Sequence, residues 1–280
     1  MQFPSFQWLT AERLSDGVYA ELIEELFAAA PSVVVVAISQ SVIGTAIFLQ
    51  TGDPIALGLT VAIVLISIER IIMMGRYRRA TADKPLPRAE VAIWERRYAD
   101  RSIASAAVVS AIGVRCFMLG DPAIQMLTVG MLSTYCAGTL MRAAHRPWLA
   151  IVNLLIISVP TTIAGMIHGG PIYICLALMT GILLVGAFDV IRHAYNTTVS
   201  QITLKRQFAG LARQDALTGL SNRLGLSENL EAVIADTQRN GYGLAVHCLD
   251  LDRFKAANDL YGHPTGDAIL KEVARRLTCL

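Results

Sequence analysis

Charge is what this sequence has least of. Only 16% of its 280 residues are Asp, Glu, Lys or Arg, where a soluble domain carries about 25%, so the deficit implies lipid contact over much of the length. The formal net charge of +2 is too small for the electrostatic footprint of a nucleic-acid binder. Cysteine is scarce as well. Cys116, Cys136, Cys175, Cys248 and Cys279 are scattered with no CxxC spacing and no His partners, which argues against a disulfide or metal framework and for small buried residues. The basic-then-apolar pattern of a cleavable signal peptide is missing from the N-terminus.

What is abundant is apolar sequence: 54% of residues are hydrophobic and the mean hydropathy is +0.50. A helix needs about 20 mostly apolar residues to cross a bilayer. Six segments qualify, at 32–50, 55–74, 102–119, 123–141, 149–167 and 172–191. They pair into three hairpins whose turns resemble one another: TGDP (51–54), LGDP (119–122) and HGGP (168–171). In each, Gly permits the reversal and Pro opens the next helix, where its missing N–H costs nothing. Both a threefold hairpin repeat and one turn solution reached three times fit this pattern.

Lys and Arg set the expected orientation. The connection 75–101 holds eight of them, Arg76, Arg78, Arg79, Lys84, Arg88, Arg96, Arg97 and Arg101. Arg142 and Arg146 follow span four, Arg192, Lys205 and Arg206 follow span six, and the three turns have none. The basic connections and both termini are therefore expected in the cytoplasm and the turns outside. The acidic N-terminal residues Glu12, Asp16, Glu21, Glu24 and Glu25 weigh little in this rule.

Residues 15–29 put Val18, Leu22, Ile23, Leu26 and Phe27 on one helical face, opposite Glu21, Glu24 and Glu25. That amphipathic helix fits either the membrane interface or the side of the bundle. Ionisable residues inside spans are functional candidates. Arg115 is expected to snorkel or to pair with Asp53 or Asp121, and Glu69, Arg70 and Asp189 to pair with one another or meet water. No mid-depth chain of carboxylates and no span broken by paired Gly and Pro appears, which counts against a carrier of small solutes.

After span six, residues 192–214 contain no proline and can continue the helix. Leu204, Phe208 and Leu211 have the spacing of a coiled-coil seam, and packing on the adjoining domain is the alternative. DALTGLSNR (215–223) then reads as a turn-rich entry to a helix. YGLAVHCLDL (242–251) reads as a strand, with Leu244, Val246 and Cys248 alternating against Ala245, His247 and Leu249. FKAANDLYG and DAILKEVARRL read as two helices separated by a GHPTG turn. Asp250 falls at the strand's C-terminal end, where open α/β sheets place ligands. A second carboxylate at Asp252 makes a Mg²⁺–phosphate site conceivable, with Lys255 as a cation for the phosphates. Asn258 and Asp267 offer what guanine needs, since a carboxylate accepts from both N1–H and the exocyclic amino group and is left unpaired by the wrong base. Spacing alone leaves all this open against ordinary surface Asp and Lys.

Two stretches in order, DALTGLSNR (215–223) and DLDRFKAANDLYGHPTGDAIL (250–270), closely resemble the N-terminal part of the GGDEF domain of bacterial diguanylate cyclases. They match D-x-L-T-G-L-x-N-R and D-[IL]-D-x-F-K-x-x-N-D-x-x-G-H-x-x-G-D-x-x-L at every fixed position. The resemblance covers 215–280 and does not extend to the membrane part. It implies condensation of two GTP molecules into cyclic di-GMP, with Asp250 and Lys255 as catalytic residues. It further implies that Asp250 binds Mg²⁺ through its carboxylate and Leu251 through its carbonyl, two ions per site in the complete domain. Phe254 and Lys255 would contact phosphates, and Asn258 and Asp267 would read guanine. Because each domain holds one GTP, a homodimer through linker and domain is implied.

Structural roles are expected for the other motif residues. Asp215 is expected to pair with Arg223 around a turn that Gly219 permits, and Asp252 to support the site. Gly262, His263 and Gly266 are expected to shape the loop presenting Asp267, with His263 held by local hydrogen bonds. The Gly-Gly-(Asp/Glu)-Glu-Phe hairpin of the family does not occur within the 280 residues, so this chain alone is expected to be inactive.

The expected architecture is mainly α: a six-helix transmembrane bundle followed by a truncated α/β, nucleotide-cyclase-like GGDEF domain. Its parts are an N-terminal amphipathic segment (1–31), a six-span sensory domain (32–191), a helical signalling linker (192–214) and the GGDEF portion (215–280). The resemblance places the protein in a bacterial inner membrane, with GTP as substrate, the lipid bilayer and a second copy of the chain as partners, and no nucleic acid. A non-catalytic membrane sensor carrying a degenerate domain remnant is the alternative.

Overall fold

The computed structural model describes residues 14–82, 86–142 and 144–279. Glu12, Lys84 and the first thirteen residues of the expected N-terminal segment lie outside the described residues. The chain forms two units, 1–202 and 203–280.

Among the described residues ten helices follow one another: α1 (Asp16–Ala28), α2 (Ala30–Thr51), α3 (Pro54–Thr81), α4 (Arg88–Leu119), α5 (Pro122–Arg142), α6 (Pro147–Ile167), α7 (Pro171–Leu211), α8 (Arg223–Asn240), α9 (Phe254–Tyr261) and α10 (His263–Leu277). Six helical stretches among the described residues are long and apolar enough to cross a membrane, and each contains one of the expected spans. Several outrun them. The expected connection 75–101 is mostly helix, because Arg-rich helix formers continue α3 to Thr81 and start α4 at Arg88, with Pro87 at the N-cap of α4.

The three turns share their chemistry. Gly52, Gly120 and Gly169 take φ of 66°, 74° and 72°, the left-handed region that ends helices and suits glycine. Asp53 then accepts from the Ile55 amide at 3.1 Å, and Asp121 from the Ala123 amide at 2.8 Å, each serving an amide that the helix start leaves unpaired. Arg115 donates to Asp53 at 2.7 Å, one of the two pairings expected of it.

Glycine also sets the helix crossings. A Cβ on Gly44 would meet Thr60, on Gly113 Thr161, and on Gly138 Val36. Small residues allow backbones to approach where lipid offers no hydrophobic drive between helices. Helix α1 lies against the bundle: Leu22, Ile23, Leu26 and Phe27 are fully buried, whereas Glu24 and Glu25 face out. Phe27 stacks on Tyr77 with centroids 4.0 Å apart and tilts against Tyr98 at 5.3 Å.

Some sequence expectations fail here. Glu69 and Arg70 do not pair with each other. Glu69 takes Arg101, and Arg70 turns inward to Tyr98, because neighbours on a helix point about 100° apart. Asp189 is exposed on α7. The cysteines are all free, but only Cys116 is buried, while Cys175, Cys248 and Cys279 are exposed.

In unit 203–280 the expected strand does not form. Residues 242–251 have no regular secondary structure, and the described residues hold no strand, only an isolated bridge between Gln214 and Ser221. A strand is completed by a neighbour's hydrogen bonds, and the described residues provide none here. The apolar alternation consequently buries nothing: Val246 is 69% and Leu249 73% exposed. The α/β character expected of this part is absent from the described residues, whose regular elements are all helices.

Candidate functional site

The entry motif is built by its own side chains. Asp215 accepts from the Thr218 hydroxyl at 2.7 Å and from the amides of Thr218 at 2.9 Å and Leu217 at 3.2 Å. These bonds, led by the Thr218 hydroxyl, hold its carboxyl below the usual range, since hydrogen bonds to the charged form favour it. Gly219 closes the turn with φ 71°. Asp215 does not pair with Arg223, which is exposed and makes no ion pair among the described residues. The local carboxylate–hydroxyl geometry satisfies Asp215 first.

Asn222 is the residue that sequence reasoning passed over. Its Oδ1 accepts from Leu224 at 3.0 Å and Gly225 at 3.1 Å, capping α8. Its Nδ2 donates to Ala212 O at 2.8 Å and Gln214 O at 3.3 Å, tying α8 to the segment before the motif. An Asn directly before a helical pattern is a readable cap signal. Arg213 reinforces the tie by pairing with Glu228 at 2.5 Å.

The second motif gathers some of its candidates and leaves others apart. Asp250 is exposed in the irregular segment, and Leu251 follows half-buried. Leu251 O accepts from the Phe254 amide at 3.3 Å; a carbonyl has two lone pairs, so one stays available. Arg253 sits in this turn with φ 60°, a left-handed conformation that costs a non-glycine residue about 1–2 kcal/mol. Phe254 and Lys255 open α9, with Lys255 exposed. Asp250 and Lys255 make no ion pair among the described residues.

Asn258 and Asp267 are brought near one another. The Asn258 amide lies directly against Gly266, so closely that a Cβ there would overlap it, and Asp267 is the next residue, exposed on α10. The GHPTG stretch is not the expected turn. Only Gly262, at φ 83°, breaks the chain, and α10 begins at His263 with Pro264 in its first turn, where proline is tolerated. Asp267 is thus presented by a helix rather than a loop, and His263 is exposed without a side-chain hydrogen bond among the described residues.

No group of three potential metal ligands gathers among the described residues. Mg²⁺ asks for less: it commonly takes one or two protein carboxylates, water and substrate phosphates. The Asp250 carboxylate and the Leu251 carbonyl suit that habit.

Residues 212–280 match the family described as diguanylate cyclase, GGDEF domain. An uncharacterized signaling protein of Caulobacter vibrioides is 55% identical over 67 residues, 24% of this chain and 8% of its own length. The bifunctional diguanylate cyclase/cyclic di-GMP phosphodiesterase MucR of Pseudomonas aeruginosa is 31% identical over 185 residues, 65% of this chain and 24% of its own. That stretch is longer than the unit 203–280, so part of it lies in the unit 1–202. Diguanylate cyclase DgcS of Shewanella oneidensis is 52% identical over 58 residues, 21% of this chain and 20% of its own. The chain thus spans no more than about a quarter of each of these relatives. No solved structure matches it.

Proposed function

We propose that this chain, whose residues 212–280 match the GGDEF domain of diguanylate cyclases, belongs to a membrane-embedded cyclase that joins two GTP molecules into cyclic di-GMP. In that reaction the 3′-hydroxyl of each GTP attacks the α-phosphate of the other, and two pyrophosphates leave. Asp250 and the Leu251 carbonyl would hold Mg²⁺, which when bound would activate the attacking hydroxyl and neutralise the leaving oxygens. Lys255, beside Phe254, offers its ammonium to the phosphates. Asn258 and Asp267 read the guanine edge, and Gly266 lets the amide and the carboxylate approach one base. The observation carrying this reading is the Asn258–Gly266–Asp267 grouping within a segment that matches the family in order.

One GTP per domain requires two domains face to face. The exposed Leu204, Phe208 and Leu211 on α7 have the spacing of a dimer seam, which favours a homodimer. GTP is cytosolic, so the C-terminal unit faces the cytosol of a bacterial inner membrane, and six crossings return the N-terminus to the same side. The bundle is then the sensory input.

The test is turnover by the full-length gene product in membrane vesicles given GTP and Mg²⁺. Cyclic di-GMP should form, and Asp250→Ala should abolish it while membrane insertion stays intact. Undiminished product from the variant would sink the metal assignment, and no product from the wild-type full-length protein would sink the cyclase.

A further inference from the structure

Arg115 uses only part of its guanidinium. Its Nε donates to Asp53 Oδ2 at 2.7 Å, and neither Nη makes a hydrogen bond among the described residues. Asp53 is covered, whereas the Arg115 side chain is 37% exposed, so the face left over is the positive one. The residue lies four positions before α4 ends at Leu119, about one helical turn from the end. At that depth a helix crossing a bilayer leaves the hydrocarbon for the head groups.

Beside it runs a groove of about 660 Å³, within the range of roughly 300–1,000 Å³ typical of sites that hold small molecules. Its floor is α4, where Ala107, Ala111, Val114 and Met118 have the spacing that keeps side chains on one helical face. Ile55 and Leu59 of α3 form one wall, and Ile156 and Pro160 of α6 form the other. The two alanines give the groove its depth, because larger side chains would fill it. The Ser110 hydroxyl oxygen is covered by protein atoms, so the side chains facing the groove are carbon everywhere but at Arg115. From Met118 to Ala107 the groove follows eleven residues of α4, about 16 Å of helix. That is about half of a hydrocarbon core about 30 Å thick, or one leaflet.

The fitting occupant is anionic at one end and hydrocarbon along the rest. A small soluble anion serves Arg115 and leaves the groove unfilled. A bare hydrocarbon fills the groove and leaves both Nη groups unserved where water is scarce. We infer that the groove is a binding site for one glycerophospholipid from the leaflet on the side of the Gly-Asp-Pro turns. Its phosphate accepts from the Arg115 Nη groups, a charge-assisted pairing that suits the guanidinium fork, and one acyl chain lies along α4 between α3 and α6. The inference rests on the membrane reading of the helical unit and not on the nucleotide chemistry proposed for residues 212–280.

The experiment is native mass spectrometry of the full chain released from detergent micelles, with dioleoylphosphatidylglycerol or dioleoylglycerol added over a range of concentrations. One phosphatidylglycerol should be retained at the lowest concentrations, ahead of any further adduct. Arg115→Gln should weaken that first adduct by about tenfold, the scale of one charge-assisted contact. Arg79→Gln, exposed at the other end of α3, should leave it unchanged. Ala111→Leu enlarges an exposed position of the floor, so it should weaken the adduct without disturbing the core, and it carries the test if Arg115→Gln does not fold. Dioleoylglycerol, which lacks the phosphate, should bind the wild type as weakly as phosphatidylglycerol binds Arg115→Gln. Flotation with liposomes should persist in every variant, and a wild-type chain that does not float would overturn the membrane reading itself. A first adduct equally strong in wild type and Ala111→Leu overturns the groove, and equal retention of the two lipids by the wild type overturns the phosphate contact.

Discussion

Gly266 and Asp267 stand side by side with different duties. Asp267 offers a carboxylate to the solvent-facing side of α10, while Gly266 leaves the space that Asn258 fills. Adding one methyl group there must displace the Asn258 amide. In the proposed site, Gly266→Ala should therefore lower GTP affinity by about tenfold, which corresponds to about 1.4 kcal/mol, and leave helix insertion unchanged. Equilibrium binding of a fluorescent GTP analogue would measure it, and wild-type affinity in the variant would remove Asn258 from guanine recognition.

Asp215 makes a pH prediction at the same scale. Its folded carboxyl titrates below the usual value because Thr218 and two amides hold the charged form. A depressed acid contributes stability that is fully present above its unfolded value, about 3.9, and lost as pH falls through the folded one. Amide exchange at Thr218 should therefore accelerate as the pH drops below that range, beyond the intrinsic pH trend. Asp215→Asn should flatten the excess. A variant with the wild-type profile would show that the turn is held by something else.

At the scale of elements, helix ends decide much of what is seen. Asn222 caps α8 and ties back to two carbonyls of the preceding segment, so Asn222→Ala loses a cap worth about 1 kcal/mol along with both tethers. Exchange protection along α8 should fall, most at Leu224 and Gly225. Equal protection in the variant would mean that Arg213–Glu228 carries the junction alone. The same end logic organises the membrane turns, where a left-handed glycine stops one helix and a proline starts the next. Segment 242–251 shows the opposite case: its alternation is that of a strand, but a strand is finished by a neighbour, and an uncovered Val246 and Leu249 gain nothing from alternating.

At the scale of the whole molecule, the distribution of charge makes an orientation testable. Cys279 is exposed and lies in the unit proposed to face the cytosol. With the other four cysteines replaced by Ser, Cys279 should resist a membrane-impermeant maleimide in intact spheroplasts and react in inside-out vesicles. Labelling in spheroplasts would invert the topology and separate the unit from cytosolic GTP.

Local pattern alone determined a good deal of this protein. Run length determined the six helical stretches long and apolar enough to cross a membrane, since about 20 apolar residues suffice to span a bilayer whatever their neighbours do. Gly-Asp-Pro and Gly-Gly-Pro determined the turns, because backbone stereochemistry there is a property of the residue itself. The motif residues from Asp250 to Asp267 were legible for the same reason: their types and spacing are written in the chain. What only the tertiary structure decided concerns partners far apart in sequence. Arg70 could not be separated from the adjacent Glu69 by reading, but the packing of α4 draws it to Tyr98 and leaves Glu69 to Arg101. Gln40 and Arg142 carry no local mark of burial, and they line one cavity with Arg70 only because four helices converge. Whether 242–251 is a strand was decided in the same way, by long-range pairing, which local alternation can invite but cannot supply.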